Sequence, residues 1–155
     1  MQINELYQEI ILDHGKNPRN KGKCNYNLDA DGHNPLCGDK VHIFLNLDKD
    51  NVVKDISFEG EGCAISMASA SILTEIIKGK DKNFTNKLKD EFLEMIKNKE
   101  SIKINSLTDD QITTLMSLSG VKQYPMRVKC ATIAWHALAS AMDYKKDEND
   151  SEKFI

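Results

Sequence analysis

Three cysteines and one aspartate are the residues of this chain best suited to chemistry. Cys37 and Asp39 lie two apart in the stretch NPLCGDK, just before a run that alternates apolar and polar residues. Cys63 follows GEG and opens a predicted helix, and Cys130 lies in the first turns of the last predicted helix. Three sulfurs and one oxygen match the four positions of a tetrahedral zinc site.

The spacing allows Cys37 and Asp39 to reach one ion. Residues i and i+2 of an extended segment point to the same side, and Gly38 between them allows unusual backbone angles. A helix N-terminus alone would not ionise these thiols. Lowering a thiol pKa from ~8.5 to below about 7 requires about 2 kcal/mol, and an exposed helix terminus supplies roughly 0.3–1 kcal/mol. A metal ion deprotonates a coordinating thiol outright, and thiolates also suit iron in sulfide clusters.

Other interpretations of these cysteines remain open at this point, because none is paired as C-x-x-C. They could be small buried hydrophobic side chains, a common fate of free cysteine. They could hold a purely structural zinc ion, although the apolar faces of four predicted helices reduce the need for one. A cysteine hydrolase would need a histidine base beside its nucleophile, and no histidine is recognisably paired with a cysteine.

The other cysteine and the histidines are expected outside this site. Cys24 lies in the polar stretch KGKCNYN, and His33 is either a neighbour of the ligands or ordinary loop. His136 lies about 240° around the last helix from Cys130 and should face away from it. His42 should be exposed on its strand, and His14, near a helix end, suits a cation.

The elements that must position these residues fall into two groups. In the first half, the pattern predicts a helix at 3–14 that ends at Gly15. It then predicts a weak strand at 26–30 and strong strands at 41–47 and 52–58. The stretch EGEG at 59–62 should end the last of these strands. The second half predicts four helices. The first two cover 64–77 and 84–97. The third is short, starting at the TDDQ capping box of 108–111 and running to Leu118. The last has Pro125 in its first turn.

Strands first and helices after predict an α+β fold, a small antiparallel sheet of about three strands with helices on one face. We expect one domain at 1–143 and a charged tail at 144–155. The net charge of -3 argues against nucleic acid as a partner. No apolar run is long enough to span a membrane, and the N-terminus lacks the layout of a signal peptide. A cytoplasmic location follows as the expectation, and disulfides are rare there.

At these residues the chain resembles the IscU/NifU-N family of iron–sulfur cluster assembly proteins. The resemblance is carried by LYQEIILDHGKNPRN, NPLCGD, FEGEGCAISMASASILTEIIKGK and YPMRVKCATIAWHAL, which cover nearly the whole chain. It implies the family's fold, a small sheet with helices packed against it. It also implies that Cys37, Asp39, Cys63 and Cys130 hold a metal, or that the three cysteines hold a cluster.

Two features make the chain most similar to the SufU-type branch. IscU-type scaffolds carry a histidine directly before the third cysteine, where this chain has Lys129, and the segment between Cys63 and Cys130 is longer here. The resemblance then implies a zinc-dependent sulfur acceptor, possible sulfurtransferase chemistry, a cysteine desulfurase as sulfur donor and downstream assembly proteins as recipients. The alternative is an IscU-like scaffold for a transient iron or iron–sulfur cluster.

The resemblance also implies roles for individual residues. Cys130 is expected to accept the sulfur, and Cys37, Asp39 and Cys63 are expected to anchor the metal. A histidine of the desulfurase would replace the cysteine that leaves the metal. Arg127 matches a position that helps to dock the partner or to open the site. Exchange between the thiol and the persulfide would follow the rules of thiolate attack on a sulfur–sulfur bond.

Overall fold

The structure, a computed structural model, describes residues 2–98 and 101–142 and confirms the predicted α+β fold. The chain begins with helix α1, continues through three strands and then returns to helices, with a 3-10 helix between the last two. The elements are α1 (Ile3–Lys16), β1 (Leu28–Asn34), β2 (Asp39–Leu47), β3 (Val53–Glu61), α2 (Ala64–Ile77), α3 (Lys82–Lys97), α4 (Asp109–Met116), the 3-10 helix Ser117–Gln123 and α5 (Pro125–Met142). The single-domain boundary stays a prediction, and the charged tail at 144–155 lies outside the described residues.

The three strands form one antiparallel sheet in the order β1-β2-β3. Alternate residues of β2 point to opposite faces, so Val41, Ile43 and Leu45 are buried in the core. That face is covered by α2 and α5, both of which contact the sheet. The helices therefore lie on one face, and the hairpin between β1 and β2 ends with Asn34 paired to Asp39.

All three strands extend beyond their predicted bounds, and glycines permit the extensions of β1 and β3. β3 continues through Gly60 to Glu61 and does not end at the predicted break. A side chain on Gly60 would collide with the backbone carbonyl of Lys40 on the neighbouring strand, so glycine permits this pairing. In β1, a Cβ on Gly32 would lie 2.8 Å from Ile133 in α5. These glycines allow close approach of backbones instead of ending strands.

The helix starts agree with the sequence signals, with small shifts in the boundaries. The predicted capping box of α4 is present, with Thr108 accepting from the Gln111 backbone and the Gln111 side chain accepting from the Thr108 backbone. Helix α3 begins two residues earlier than predicted, because the Asp81 carboxylate caps it by accepting from Phe84 N at 2.7 Å. Helix α1 continues through Gly15 to Lys16.

The core joins α2, α3 and α5. Phe92 of α3 stacks on Trp135 of α5 with ring centroids 4.1 Å apart. The Trp135 indole N–H donates to Ser69 of α2 at 3.0 Å. Met67, Met95 and Met142 are buried in this core, and Met116 is partly buried against it. Within the described ranges, no helix combines the length and the apolar character needed to cross a bilayer.

Two histidines are placed differently from the expectation. His14 is not a surface cation. It is buried and hydrogen-bonded to Ser71 at 2.8 Å, and burial lowers its pKa below the ordinary value, as does the neighbouring charge of Arg19. His42 does lie on the outer face of the sheet, but it is only 30% exposed because both ring nitrogens contact carboxylates, those of Asp29 and Asp31.

Candidate metal centre

The predicted ligands converge at one end of the sheet, and each comes from the end of a different element or from a turn. Cys37 lies in the turn between β1 and β2, and Asp39 is the first residue of β2. Cys63 is the N-cap of α2, and Cys130 lies in the second turn of α5. One ligand atom from each of Cys37, Asp39 and Cys130 lies within 4.8 Å of the other two.

Cys63 joins this group through Asp39. Its backbone N–H donates to Asp39 Oδ1 at 2.9 Å, and its Sγ lies 3.9 Å from Asp39 Oδ2. Its thiol also interacts with Cys130. The structure thus brings together all four residues that the sequence predicted. A cluster of three sulfurs and one carboxylate is compatible with metal binding.

Two glycines with positive φ make the arrangement possible. Cys37 and Asp39 do not lie side by side in an extended segment, as the sequence reasoning assumed, because Cys37 belongs to the turn and Gly38 has φ +74°. Gly62 has φ +150°, and a Cβ there would collide with the Asp39 carboxylate. A side chain is disfavoured in this backbone region, so Gly62 lets the carboxylate approach the start of α2.

The site is buried on one side and open on the other. Asp39 and Cys130 are 0% exposed, whereas Cys37 and Cys63 are intermediate in exposure. Burial raises the pKa of the Cys130 thiol far above its ordinary value, and hydrogen bonds with Asp39 and Cys63 raise it further. In the metal-free chain Cys130 is therefore a neutral thiol at physiological pH.

Arg127 lies at the mouth of this site. It is exposed, and its pKa is raised, first by a hydrogen bond to Cys130 and then by charge at Cys63. The guanidinium therefore supplies a positive charge next to the thiols. Two exposed apolar side chains line the same groove as Arg127, with Tyr124 62% and Met126 63% exposed.

Sequence reasoning missed two polar residues that contact the ligands. Asn34 is only 2% exposed and its side-chain amide lies 3.8 Å from Cys130 Sγ. Ser66 Oγ donates to the Cys63 carbonyl at 3.0 Å and lies 3.7 Å from Cys63 Sγ. Closeness in sequence to the predicted ligands was the available signal. Asn34 precedes the proline of the turn that carries Cys37, and Ser66 lies in the first turn of α2.

The residues expected outside the site lie outside it. Cys24 donates through its thiol to the Phe44 carbonyl at 3.8 Å on the outer side of the sheet. His33 is exposed and is absent from the ligand cluster found among the described residues. His136 lies near Lys89 and Lys97 of α3, where burial and those two charges lower its pKa to about 4.

Comparison with known proteins finds a family model and relatives that match most of the chain. The family model described as NifU-like N terminal domain matches residues 6–131. The chain is 42% identical to "Zinc-dependent sulfurtransferase SufU" of Bacillus subtilis, covering 95% of this chain and 96% of that protein. It is 36% identical to "Iron-sulfur cluster assembly scaffold protein IscU" of Streptococcus pyogenes, covering 91% and 85%.

Solved structures show the same fold. A putative iron-sulfur cluster assembly scaffold protein for the SUF system from Fervidobacterium islandicum has a TM-score of 0.76 at 33% identity, covering 90% of this chain and 98% of that one. Since the family model matches most of the sequence and relatives above 30% identity match nearly end to end, the chain belongs to the family of NifU-like N-terminal domains.

Proposed function

We propose that this protein works in iron–sulfur cluster assembly as a zinc-dependent sulfur acceptor. The observation that carries the proposal is the half-open cluster of three thiols around a buried carboxylate. The similarity over almost the full length to a protein named a zinc-dependent sulfurtransferase supports it. The sulfur donor would be a cysteine desulfurase, and cluster assembly proteins would receive the sulfur. The expected cytoplasmic location remains a prediction.

The donor set fits zinc. Cys37, Asp39, Cys63 and Cys130 would hold the ion, because three thiols and one carboxylate match its preferred number and types of ligand. Bound zinc would keep the coordinating thiols deprotonated while shielding them from other reactions. An oxygen ligand is less well matched to a soft metal than a fourth thiolate would be, so Asp39 favours a site whose ligands can exchange.

Access points to Cys37 as the thiol that accepts sulfur, in place of the Cys130 expected from the resemblance. Cys130 is 0% exposed and lies inside α5, where no short segmental motion would bring it to a partner. Cys37 lies in a four-residue turn beside Leu36, which is 65% exposed. Movement of this turn would present Cys37 to a partner while Asp39, Cys63 and Cys130 stay in place.

The transfer step is a thiol–persulfide exchange. The Cys37 thiolate would attack the outer sulfur of a persulfide on the donor protein, forming a new sulfur–sulfur bond on Cys37. The bond between that sulfur and the donor cysteine breaks, and the donor cysteine leaves as a thiolate. No net oxidation occurs, because one sulfur–sulfur bond replaces another. The cation of Arg127, which lies near the thiols, would favour the anionic species at the mouth of the site.

The rim of the site suits a protein partner. An exposed apolar surface beside a polar site is typical of interaction surfaces. Here a groove of about 550 Å³ runs along Ile65 and residues 123–127, next to the exposed Tyr124 and Met126. We infer that the donor protein docks on this rim, with Arg127 as a polar contact.

The proposal is tested by mapping the transferred sulfur. The zinc-loaded protein is incubated with a cysteine desulfurase and isotopically labelled cysteine, trapped by alkylation and digested for mass spectrometry. We expect the label on Cys37, and the Cys24→Ser variant should accept as much label as the wild type. Label found on Cys130 instead would support the original expectation and overturn the choice of Cys37. Absence of label from every site cysteine would overturn the sulfur-acceptor function itself.

A scaffold function is the second candidate, because several relatives are named iron-sulfur cluster assembly scaffold proteins. Cys37, Cys63 and Cys130 would then be the residues that hold the cluster as cargo. Anaerobic incubation with iron, cysteine and desulfurase distinguishes the two. A stable visible cluster spectrum on this chain favours the scaffold, whereas zinc-dependent stimulation of the desulfurase without such a spectrum favours the sulfur acceptor.

A further inference from the structure

Asn34 makes hydrogen bonds to both sides of the candidate metal centre. Its side-chain Nδ2 lies 3.8 Å from Cys130 Sγ, and its Oδ1 accepts from the Leu36 backbone N–H at 3.2 Å. Its backbone carbonyl accepts from the N–H groups of Gly38 at 2.8 Å and Cys37 at 3.3 Å. One residue at the end of β1 therefore contacts the turn that bears one thiol and the sulfur of another.

The orientation of the amide follows from its partners. A backbone N–H can only donate, so the end of the Asn34 side chain that faces Leu36 N is the oxygen. The other end, facing Cys130, must then be the NH2 group. The residue is 2% exposed, and a buried amide that loses its partner is destabilising. The Asn34 N–H and the Cys130 sulfur thus satisfy each other.

We propose that Asn34 is a positioning residue of the metal centre, donating an N–H···S hydrogen bond to Cys130 while holding the turn that carries Cys37. The inference rests on the proposed metal-dependent function and adds to it a residue that orients two of the ligands. Asn34 thereby sets the position of the Cys130 sulfur relative to the turn that carries Cys37.

The direct test uses the unaltered protein loaded with an NMR-active cadmium isotope in place of zinc. A hydrogen bond from an amide to a coordinating sulfur transmits scalar coupling from the metal to the amide proton. We expect this coupling at the side-chain amide of Asn34, assigned by its loss in the Asn34→Ser variant. A cadmium-loaded protein without such coupling would overturn the inference.

The second test is an exchange of side chains. Asn34→Ser keeps an oxygen that can accept from Leu36 N–H but is too short to reach Cys130. We expect its zinc affinity to fall about 10–100-fold, as for other residues that orient metal ligands. Its cobalt form should show the sulfur-to-metal charge-transfer band at longer wavelength, because the thiolate loses an N–H donor.

The matched control is Asn27→Ser at the other end of the hairpin. Asn27 donates to Leu47 O at 2.8 Å and accepts from Leu47 N at 2.9 Å, at the opposite end of the β1–β2 pairing from Asp39. It should lose stability without changing the metal spectrum or affinity. Equal spectra and zinc affinity within twofold for wild type and Asn34→Ser would contradict the inference even if the variant is less stable. If the wild type takes up no metal, the proposed function fails and the inference falls with it.

Discussion

The four candidate ligand residues differ in how far each can move. Asp39 and Cys130 are fully buried within regular elements, whereas Cys37 lies in a turn and Cys63 at a helix start. A ligand in a regular element can leave only if that element shifts, because its backbone is held by ladder or helix hydrogen bonds. Exchange at this site should therefore begin on the side of Cys37.

Gly62 provides a test of how Asp39 is held. In the Gly62→Ala variant the new Cβ would collide with the Asp39 carboxylate, and alanine would be strained at φ +150°. We expect a loss of about 1–3 kcal/mol in the free energy of unfolding from the strained backbone. Zinc affinity should fall at least about tenfold, because the carboxylate is displaced. Urea unfolding of the metal-free chain and competition with a chromophoric chelator measure the two effects.

Gly79→Ala is the control for this variant. Gly79 also has positive φ, +87°, but its added Cβ would meet nothing within 4 Å. It should lose about 1–2 kcal/mol of stability and keep the zinc affinity of the wild type. If Gly62→Ala also kept that affinity, the close contact between Gly62 and Asp39 would not matter for the metal centre.

At the level of single residues, the sequence indicated the candidate ligands but not their surroundings. Cys37, Asp39 and Cys63 are recognisable from contiguous motifs, because the chemistry depends on residue type. The exposure of Cys37 and the contact of Asn34 with Cys130 depend on how β1 and α5 meet in space. Neither local spacing nor helical periodicity contains that information.

At the level of elements, the helices were predicted more accurately than the strands. The helices carry local signals, a capping box at α4 and Pro125 at α5, that act within one turn. The strand ends depend on partners that are distant in sequence. Gly60 reads as a break when taken alone, yet it continues β3 because Lys40 lies against it.

The capping box of α4 makes a prediction at this level. Thr108→Ala removes the hydroxyl that accepts from Gln111 N at 3.1 Å, leaving a helix N–H without its cap. We expect the free energy of unfolding to fall by about 0.5–2 kcal/mol. Thermal or urea unfolding followed by circular dichroism measures the loss.

The appropriate comparison is Thr113→Ala in the middle of the same helix. It makes the same change in composition without removing a cap, and alanine is the better helix former. Thr113→Ala should therefore lower the free energy of unfolding clearly less than Thr108→Ala does. Equal losses in the two variants would mean that the cap contributes nothing measurable.

For the molecule as a whole, two histidines withdrawn from solvent link stability to pH. Burial, together with the charges of Lys89 and Lys97, lowers the pKa of His136 from 6.5 to about 4. The pKa of His14 is lowered as well, mainly by burial. A histidine with a depressed pKa in the folded state takes up its proton first in the unfolded state. The contribution of these histidines to the free energy of unfolding is fully present above the pKa of the unfolded state. It is lost as the pH falls towards the pKa of the folded state.

We expect His136→Gln to weaken the dependence of the free energy of unfolding on pH. In the metal-free wild type, His136 should lower the free energy of unfolding by about 1–2 kcal/mol as the pH falls from about 7 to about 5. The value is modest because the ring is partly exposed. The variant should lack that portion, whereas His14 contributes equally to both proteins and cancels in the difference. Urea unfolding across this range measures the effect, and parallel pH profiles for the two proteins would contradict it.

The distribution of the ligands along the chain has a consequence for biosynthesis. Cys37, Asp39 and Cys63 lie in the first half of the sequence, but Cys130 belongs to α5, the last described element. A ribosome makes the chain from the N-terminus, so two thiols and a carboxylate are exposed long before the helix that buries them exists. Until α5 emerges, the nascent chain has an incomplete site, vulnerable to oxidation and to capture of the wrong metal. The wild-type site can therefore be completed only after nearly all of the described chain has been synthesised.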